Sequence, residues 1–524
     1  SYIVSGTNTI TNNFTVGNLT FAPNSELIIA PTGTLNVLTN YTSSDSGTLE
    51  YFAGSTNSPP RIIVGGTAFL DGALIIQFPD GTPVFGDQYA VISAGNFTGS
   101  FNSITLPNSD IFRGRGIIID GIFYVLVAPT SYTQVALNQN QYNVAQALNS
   151  FISATSGDEL VVSTALDHLT AAQYPNAFNQ IMPALYSTFS TMAFNEANAL
   201  NNNLIQRLGN LRVAGVGFSQ CGFNDSPILD DNKNPKACKK DILTPSVDNH
   251  WGVFMDGNGI FANVNNNNQL PGYTIQSGGV ALGANYKWNE TFATGFYTGY
   301  QGTQSKQTAG TFVCDNASRF GLFGTYGYGG LFANAILGGD MHNYQVNRGI
   351  QFPGLSRTAN SSPTAGELDS MLATGYDIKR GNFTFGPITS LQYTYFGLQP
   401  FTETGAQSLD LSVASANANS LIYTLGTRGF YSWQMNKKIL VVPQINLGWQ
   451  HEFLQNPYAI NATFPNGAGF NYTTTTALRD SLYTGLGFSV NLAKKYDAFF
   501  FYNASCCNPT LVSQNFSISL GVKF

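Results

Sequence analysis

The side chains best suited to metal or acid–base chemistry are four histidines, His168, His250, His342 and His451, and they are scattered. No His-x-x-x-His spacing sets two of them on one helix face as zinc ligands require. A nucleophile elbow needs Gly-x-Ser-x-Gly; the run Gly217-Phe218-Ser219-Gln220-Cys221 lacks the closing glycine. No metal, cofactor or hydrolytic centre is therefore expected. Asn-x-Thr/Ser triplets such as Asn18-Leu19-Thr20 are what an Asn- and Thr-rich chain produces by chance. Cys221 and Cys238 share one polar segment that an oxidising compartment would bridge. The remaining candidates are charged residues, Asp256, Arg319, Glu367, Asp369, Arg428 and Glu452, whose meaning depends on the elements that carry them.

Composition says what those elements are. Charged residues are 10% of the 524, against roughly 25% in a typical soluble domain. Glycine (54), phenylalanine (39) and tyrosine (26) take their place, with much Asn, Thr and Ser, a mixture suited to strands and turns. No run approaches the ~18 consecutive apolar residues of a membrane-spanning helix. A barrel strand needs only about 10 alternating residues, and a mean hydropathy of -0.03 suits a wall with one lipid face and one wet face. The net charge of -6, with no basic cluster, excludes nucleic acid as a partner. Ser1 opens on a strand-like run without a charged or apolar leader, as in a chain whose signal peptide has been removed or in a fragment.

Three segments follow along the chain. In 1–130, short β-rich runs such as Leu27-Ile28-Ile29, Arg61-Ile62-Ile63-Val64 and Ala73-Leu74-Ile75-Ile76 are broken by Gly, Asn and Pro. They are too short to span a bilayer, but as stacked coils of a parallel β-helix they can bury a shared apolar column. An ordinary β-sandwich is the alternative on pattern alone. In 131–249 the period becomes helical, with Val144, Leu148, Phe151 and Ile152, then Leu185, Phe189, Met192, Leu200, Leu204, Leu208 and Leu211. From Asn195 to Asn210 that stripe is interleaved with asparagines, giving a helix polar over most of its circumference. A water-filled pore could hold such a helix, and a solvent-exposed connector would look the same.

From 250 to 524 the period is two. Phe516, Ile518, Leu520, Val522 and Phe524 alternate with Ser517, Ser519, Gly521 and Lys523, and similar runs give about 12 strands, an even number as closure requires. Tight connections at Asn289, Gly329-Gly330, Arg380-Gly381, Asn436-Lys437 and Lys494-Lys495 alternate with long polar ones, among them 302–316, 401–419 and 503–514. That sorting is the pattern of short periplasmic turns and long extracellular loops. Aromatic groups at strand ends, including Tyr286 with Trp288, Tyr431 with Trp433 and 499–502, are expected to form interfacial girdles. Arg319, Glu367, Asp369 and Arg428 fall on the small or polar faces, so they are expected to point inward and pair, as are Asp256 and Glu452. The fold expected is mostly β: a transmembrane antiparallel barrel plugged by an α-helix and preceded by a parallel β-helix.

This ordered set resembles the autotransporters, the self-secreting type V proteins of Gram-negative outer membranes. The resemblance rests on Val64-Gly65-Gly66-Thr67-Ala68-Phe69-Leu70-Asp71-Gly72-Ala73-Leu74, on Trp251-Gly252 with Gly278-Gly279-Val280-Ala281-Leu282-Gly283-Ala284-Asn285-Tyr286, and on the terminal Val522-Lys523-Phe524. It implies outer-membrane lipid and the barrel-assembly machinery as partners, with Phe524 in the assembly signal. It also implies a passenger at the cell surface that meets a host or neighbouring cell. A porin-like or structural barrel is the alternative. Asn202-Asn203-Leu204-Ile205-Gln206-Arg207-Leu208-Gly209-Asn210-Leu211-Arg212 resembles the pore helix of self-cleaving members, in which Asn202 would cyclise and break its bond to Asn203. Ile205 departs from that pattern, and a polar helix face bonded to the lumen wall is the simpler expectation.

Overall fold

The computed structural model describes residues 1–79, 81–213, 250–266, 272–289, 291–307, 311–436, 438–475, 478–493 and 495–524, with the backbone alone for 210–213. Two compact units result. One comprises Ser1–Met182 with Ile350–Arg357 and Phe464–Phe470; the other comprises Pro183–Gly349, Thr358–Thr463 and Asn471–Phe524.

The first unit is built from short strands stacked in parallel. Thr7–Ile10, Glu26–Ile29, Thr48–Phe52, Ala73–Gln77 and Ser103–Thr105 form one ladder, each strand supplied by the next coil of chain. A second ladder runs through Leu19–Phe21, Tyr41–Thr42, Ile62–Leu70 and Gln88–Gly99. In-register stacking sets like residues above one another: Leu27, Leu49 and Leu74 in one column, Leu35, Ile62 and Ile92 in another, all buried. Each run of alternating residues thus gives its apolar set to the inside. Such parallel ladders are not those of a sandwich. The last coil is finished by an antiparallel meander of Gln88–Gly99, Ile122–Pro129 and Phe112–Ile119.

Helices Gln139–Leu148, Gly157–Asp167 and Tyr174–Ile181 follow in the same unit. Asn138 caps the first by accepting from Gln141 N–H, and Pro175 opens the third where a missing N–H costs nothing. The second is fastened to the meander by charge. Asp167, fully buried, accepts from Arg113 at 2.5 Å, from Arg115, and from the Tyr132 hydroxyl at 2.8 Å. One carboxylate with three charge-assisted or phenolic donors is a well-satisfied buried ion pair.

The second unit is a closed antiparallel barrel of 12 strands. In chain order they are β1 (Trp251–Val264), β2 (Tyr273–Lys287), β3 (Phe292–Lys306), β4 (Phe312–Tyr328), β5 (Leu331–Phe352), β6 (Thr364–Tyr376), β7 (Phe383–Leu398), β8 (Ala416–Tyr431), β9 (Ile439–Glu452), β10 (Asp480–Leu492), β11 (Tyr496–Cys506) and β12 (Leu511–Lys523). Each pairs with its successor, and β12 returns to β1 in the register Gly252↔Lys523 to Val264↔Leu511. No edge remains to be solvated, as lipid demands. Phe524 and Trp251 exchange both backbone hydrogen bonds at 3.1 Å just past the last pair, so the terminal aromatic finishes the seam.

Burial along the strands is inverted relative to the first unit. In β12, Phe516, Ile518 and Leu520 are exposed while Ser517 and Ser519 are buried. Exposed Leu282, Leu322, Leu337, Leu372, Leu425, Leu447 and Leu486 continue the apolar exterior, and exposed Trp251, Trp288, Tyr328, Tyr431, Trp433 and Tyr496 ring the short-turn end. Three expectations need correction. The supposed long connections 302–316 and 503–514 are mostly strand, since β3 runs to Lys306, β4 starts at Phe312, β11 runs to Cys506 and β12 starts at Leu511. Polar residues there face the lumen, which sequence alone reads as loop. Phe499 and Phe501 also turn inward and stack, so only their neighbours Phe500 and Tyr502 lie on the outer face. Among the described residues no helix is long and apolar enough to cross a membrane.

Candidate functional site

The lumen is occupied by the helix Ser187–Val213, whose described side chains are nearly all buried although many are amides. The polar circumference read from sequence therefore faces barrel wall on every side and is not an exposed connector. Bonds leave it in several directions. Asn201 Nδ2 donates to Asp369 Oδ2 on β6 at 2.8 Å, and Asn203 Oδ1 accepts from Asn515 on β12 at 2.7 Å and Asn503 on β11 at 3.3 Å. Glu196 accepts from Thr303 on β3. Arg207 donates to Ser519 at 2.8 Å, lies 3.5 Å from Asp497, and sets its guanidinium 3.9 Å over the Phe254 ring. Amide and guanidinium donors against carboxylates and hydroxyls satisfy groups that would otherwise be stranded in a dry interior.

At the long-loop end, Arg348 grips Glu403 through Nε at 2.7 Å and Nη2 at 2.5 Å, and Glu403 also accepts from Leu411 N–H and the Tyr186 hydroxyl. Burial, with the Glu403 charge beside it, holds the Tyr186 phenol well above its ordinary pKa. Phe189 on the helix stacks on Tyr344 at 4.0 Å.

The wall itself carries an ionic row. Arg319 binds Asp340 at 2.6 to 2.9 Å and reaches Glu367 at 3.6 Å and Asp369 at 3.9 Å. His342 Nδ1 contacts Asp315 Oδ2 at 2.6 Å. Arg428 pairs with Asp377 at 2.7 Å, its guanidinium 3.8 Å over Phe332. The geometry thus gathers Arg319, Glu367 and Asp369 into one cluster, puts Arg428 in a separate pair, and sets Asp256 beside Arg207 and Ser519.

Glu452 ends β9 and accepts from the N–H groups of Leu421, Leu454 and Gln455 at 2.8 to 3.1 Å. It shapes the chain leaving the strand, and the Arg319 cluster does not include it. Sequence reading missed Asp315, Asp340, His342 and Glu196. Strand parity would have placed Asp340 and His342 inside together; a search confined to His-x-x-x-His spacing passes over them. Asn202 lies in mid-helix with its side-chain nitrogen donating to Asn198 O at 2.7 Å and Asn198 Oδ1 at 2.8 Å. Cys221 and Cys238 lie outside the described residues; Cys314, Cys506 and Cys507 are free thiols.

A closed antiparallel barrel with an apolar exterior, aromatic ends and a polar lumen is an outer-membrane β-barrel. Residues 253–503 match the family Autotransporter beta-domain, so the C-terminal half of the chain is an autotransporter β-domain, resident in the outer membrane and serving export of a passenger. Two curated relatives, each an "Extracellular serine protease" of Serratia marcescens, are 23% and 22% identical over 68% and 70% of this chain. The chain spans about a third of their length, 32% in each case. Similar solved structures include the translocator domain of autotransporter NalP from Neisseria meningitidis (13% identity, 62% of this chain, 98% of that one, TM-score 0.42). Another is the transport unit of the autotransporter AIDA-I from Escherichia coli (14%, 63% and 98%, TM-score 0.38).

Proposed function

We propose that the barrel anchors and translocates its own N-terminal region, and that residues 1–130 are the root of a surface-displayed passenger acting in adhesion or surface structure. Residues 131–249 would be linker and pore helix, and 250–524 the translocator. The observation that carries this is the helix Ser187–Val213 bonded to β3, β6, β11 and β12, which blocks the lumen and joins it to what precedes it. An open porin would need that volume for solute. The only histidine outside 250–524 is His168, whose Nδ1 is bonded to Thr164 O at 2.7 Å. The barrel-assembly machinery is the proposed assembly partner and Phe524, at the β1–β12 seam, part of its signal.

The test is orientation. Protease or antibody applied to intact cells should reach the Ile10 to Val127 region; protection there, with access to the 401–419 loop, would instead favour a porin-like barrel with a periplasmic N-terminal region. Self-cleavage between Asn202 and Asn203 stays a subordinate reading, because the Asn202 nitrogen is already committed to Asn198. A product starting at Asn203, abolished by Asn202→Asp, would establish it.

A further inference from the structure

Around Arg319 the barrel lumen holds more buried carboxyl groups than basic groups to pair with them. Arg319, Asp340 and Glu367 stand directly opposite one another across β4, β5 and β6. Asp340 and Glu367 are therefore like charges on facing positions, a destabilising pair in a ladder unless something bridges them. Arg319 gives its Nε hydrogen bonds to Asp340 and reaches Glu367 only at 3.6 Å, without a hydrogen bond between them. Asp315, Asp369 and Glu196 add three more buried carboxyl groups, against one further basic group, His342.

Several polar atoms here have no hydrogen-bond partner: both oxygens of Glu367, Nε2 of His342, Oδ1 of Asp315, Oδ1 of Asp369, Oε2 of Glu196, and Nη1 and Nη2 of Arg319. The Glu367 and His342 side chains are wholly inaccessible to solvent. His342 Nε2 lies 3.4 Å from Glu367 Oε2, outside hydrogen-bonding geometry. Leaving a buried carboxyl group without a hydrogen bond is costly in a protein interior.

We propose that Asp340, His342 and Glu367 bind a divalent transition-metal ion of the Zn2+ or Mn2+ class. One ligand atom from each lies within 4.8 Å of the others, so small side-chain rotations bring all three to the ~2.0–2.2 Å of a metal bond. His342 and Asp340 are two apart on β5 and share its inner face; Glu367 is opposite Asp340 on β6. Asp315 holds Nδ1 of His342, directing the Nε2 lone pair toward Glu367, the carboxylate–histidine–metal relation that fixes ring and tautomer. An imidazole nitrogen among carboxylates selects Zn2+ or Mn2+ over Mg2+ and Ca2+, which prefer oxygen alone. The ion would cancel the repulsion between β5 and β6 and face Asp369, which holds Asn201 of the helix. It would stiffen the wall where the plug is tied. None of this depends on whether the N-terminal region is exported.

The experiment uses the full chain extracted in detergent, stripped with chelator, and titrated with Zn2+ by calorimetry and with Mn2+ by electron spin-echo spectroscopy. One Zn2+ per chain is expected, with nitrogen modulation on the Mn2+ echo and a higher temperature for loss of the heat-modifiable band. His342→Gln and Glu367→Gln should each lower affinity at least tenfold. Asp315→Asn, which alters a positioning residue, should lower it about 10- to 100-fold and weaken the nitrogen modulation. Where a variant fails to form the heat-modifiable barrel, the nitrogen modulation of the unaltered chain decides. Absence of saturable Zn2+ uptake by the folded chain, uptake unchanged in both ligand variants, or a Mn2+ echo without nitrogen modulation overturns the site.

Discussion

The two units write the same alternating code and read it in opposite directions. Leu49 and Leu74 in the stacked coils and Ile518 and Leu520 in β12 are alternate apolar residues of short-period strands, yet the first pair is fully buried and the second pair exposed. What differs is the medium. Coils stacked in parallel enclose their own apolar column and leave polar residues to water; a closed sheet in lipid offers its apolar face outward and must satisfy every polar group within. Charge follows the same division. In the first unit one carboxylate, Asp167, serves two arginines; in the barrel one arginine, Arg319, stands among three carboxylates.

That asymmetry can be broken at Asp167. Asp167→Ala would leave Arg113 and Arg115 without their shared acceptor, and breaking a buried pair this way costs about 3–5 kcal/mol. Hydrogen exchange should rise across Phe112–Ile119 and Gly157–Asp167 while the barrel's heat-modifiable band is unmoved. Unchanged protection at both segments would mean the ion pair does not fasten that helix.

A smaller effect tests the medium itself. Leu322 is 61% exposed on β4 and Ile63 is 46% exposed on the second ladder of the coils. Leu322→Arg places a charge against hydrocarbon and should cost about 2–4 kcal/mol, measured by reversible unfolding of the barrel in urea. Ile63→Arg meets water and should stay within about 0.5 kcal/mol. Equal costs would show that the two exteriors face the same solvent.

How much of this was legible in the sequence follows from the same contrast. Strand parity is local, so the inward placement of Arg319, Glu367, Asp369 and Arg428 could be read residue by residue. The helix from Ser187 was legible as helix, but its own residues left burial open, because asparagines facing a polar lumen look like asparagines facing water; the expectation of a plugged barrel came from the order of the segments. Glu452 keeps the inward parity of Gln450 and lines one cavity with Thr191, Asn195 and Asn198 of the helix, but because it ends β9 its bonds go to turn N–H groups and not to the Arg319 cluster, which parity alone could not tell. The juxtaposition of Asp340 with Glu367 was beyond reach for another reason: it depends on the register of β5 against β6, which no spacing along one strand encodes.

The smallest expected effect concerns alkaline pH and separates the two units by the depth of their tyrosines. Burial raises the Tyr132 and Tyr174 phenols well above their ordinary value, while burial pushes Tyr458 and Tyr472, in and beside the small sheet outside the barrel wall, up to about 12. A raised phenol means that the neutral form is favoured on folding. Its stabilisation is complete below the unfolded pKa of ~10 and is lost as pH rises, at up to about 1.4 kcal/mol per unit for each group. For Tyr458 and Tyr472 the loss should stop near pH 12, where the folded state also ionises. For Tyr132 and Tyr174 it should continue beyond, because Asp167 adds its repulsion to the burial. Between pH 10 and 11 each group should give up about 1 kcal/mol, read as faster exchange in 157–181 and 458–473. The barrel strands between them report whether the loss is local. Tyr132→Phe should remove its share of the pH dependence while leaving neutral-pH protection of Phe112–Ile119 close to unchanged, since the hydroxyl it deletes is the third donor to an Asp167 already held by two arginines. A steeper alkaline loss in that variant would show that the phenol is not the titrating group.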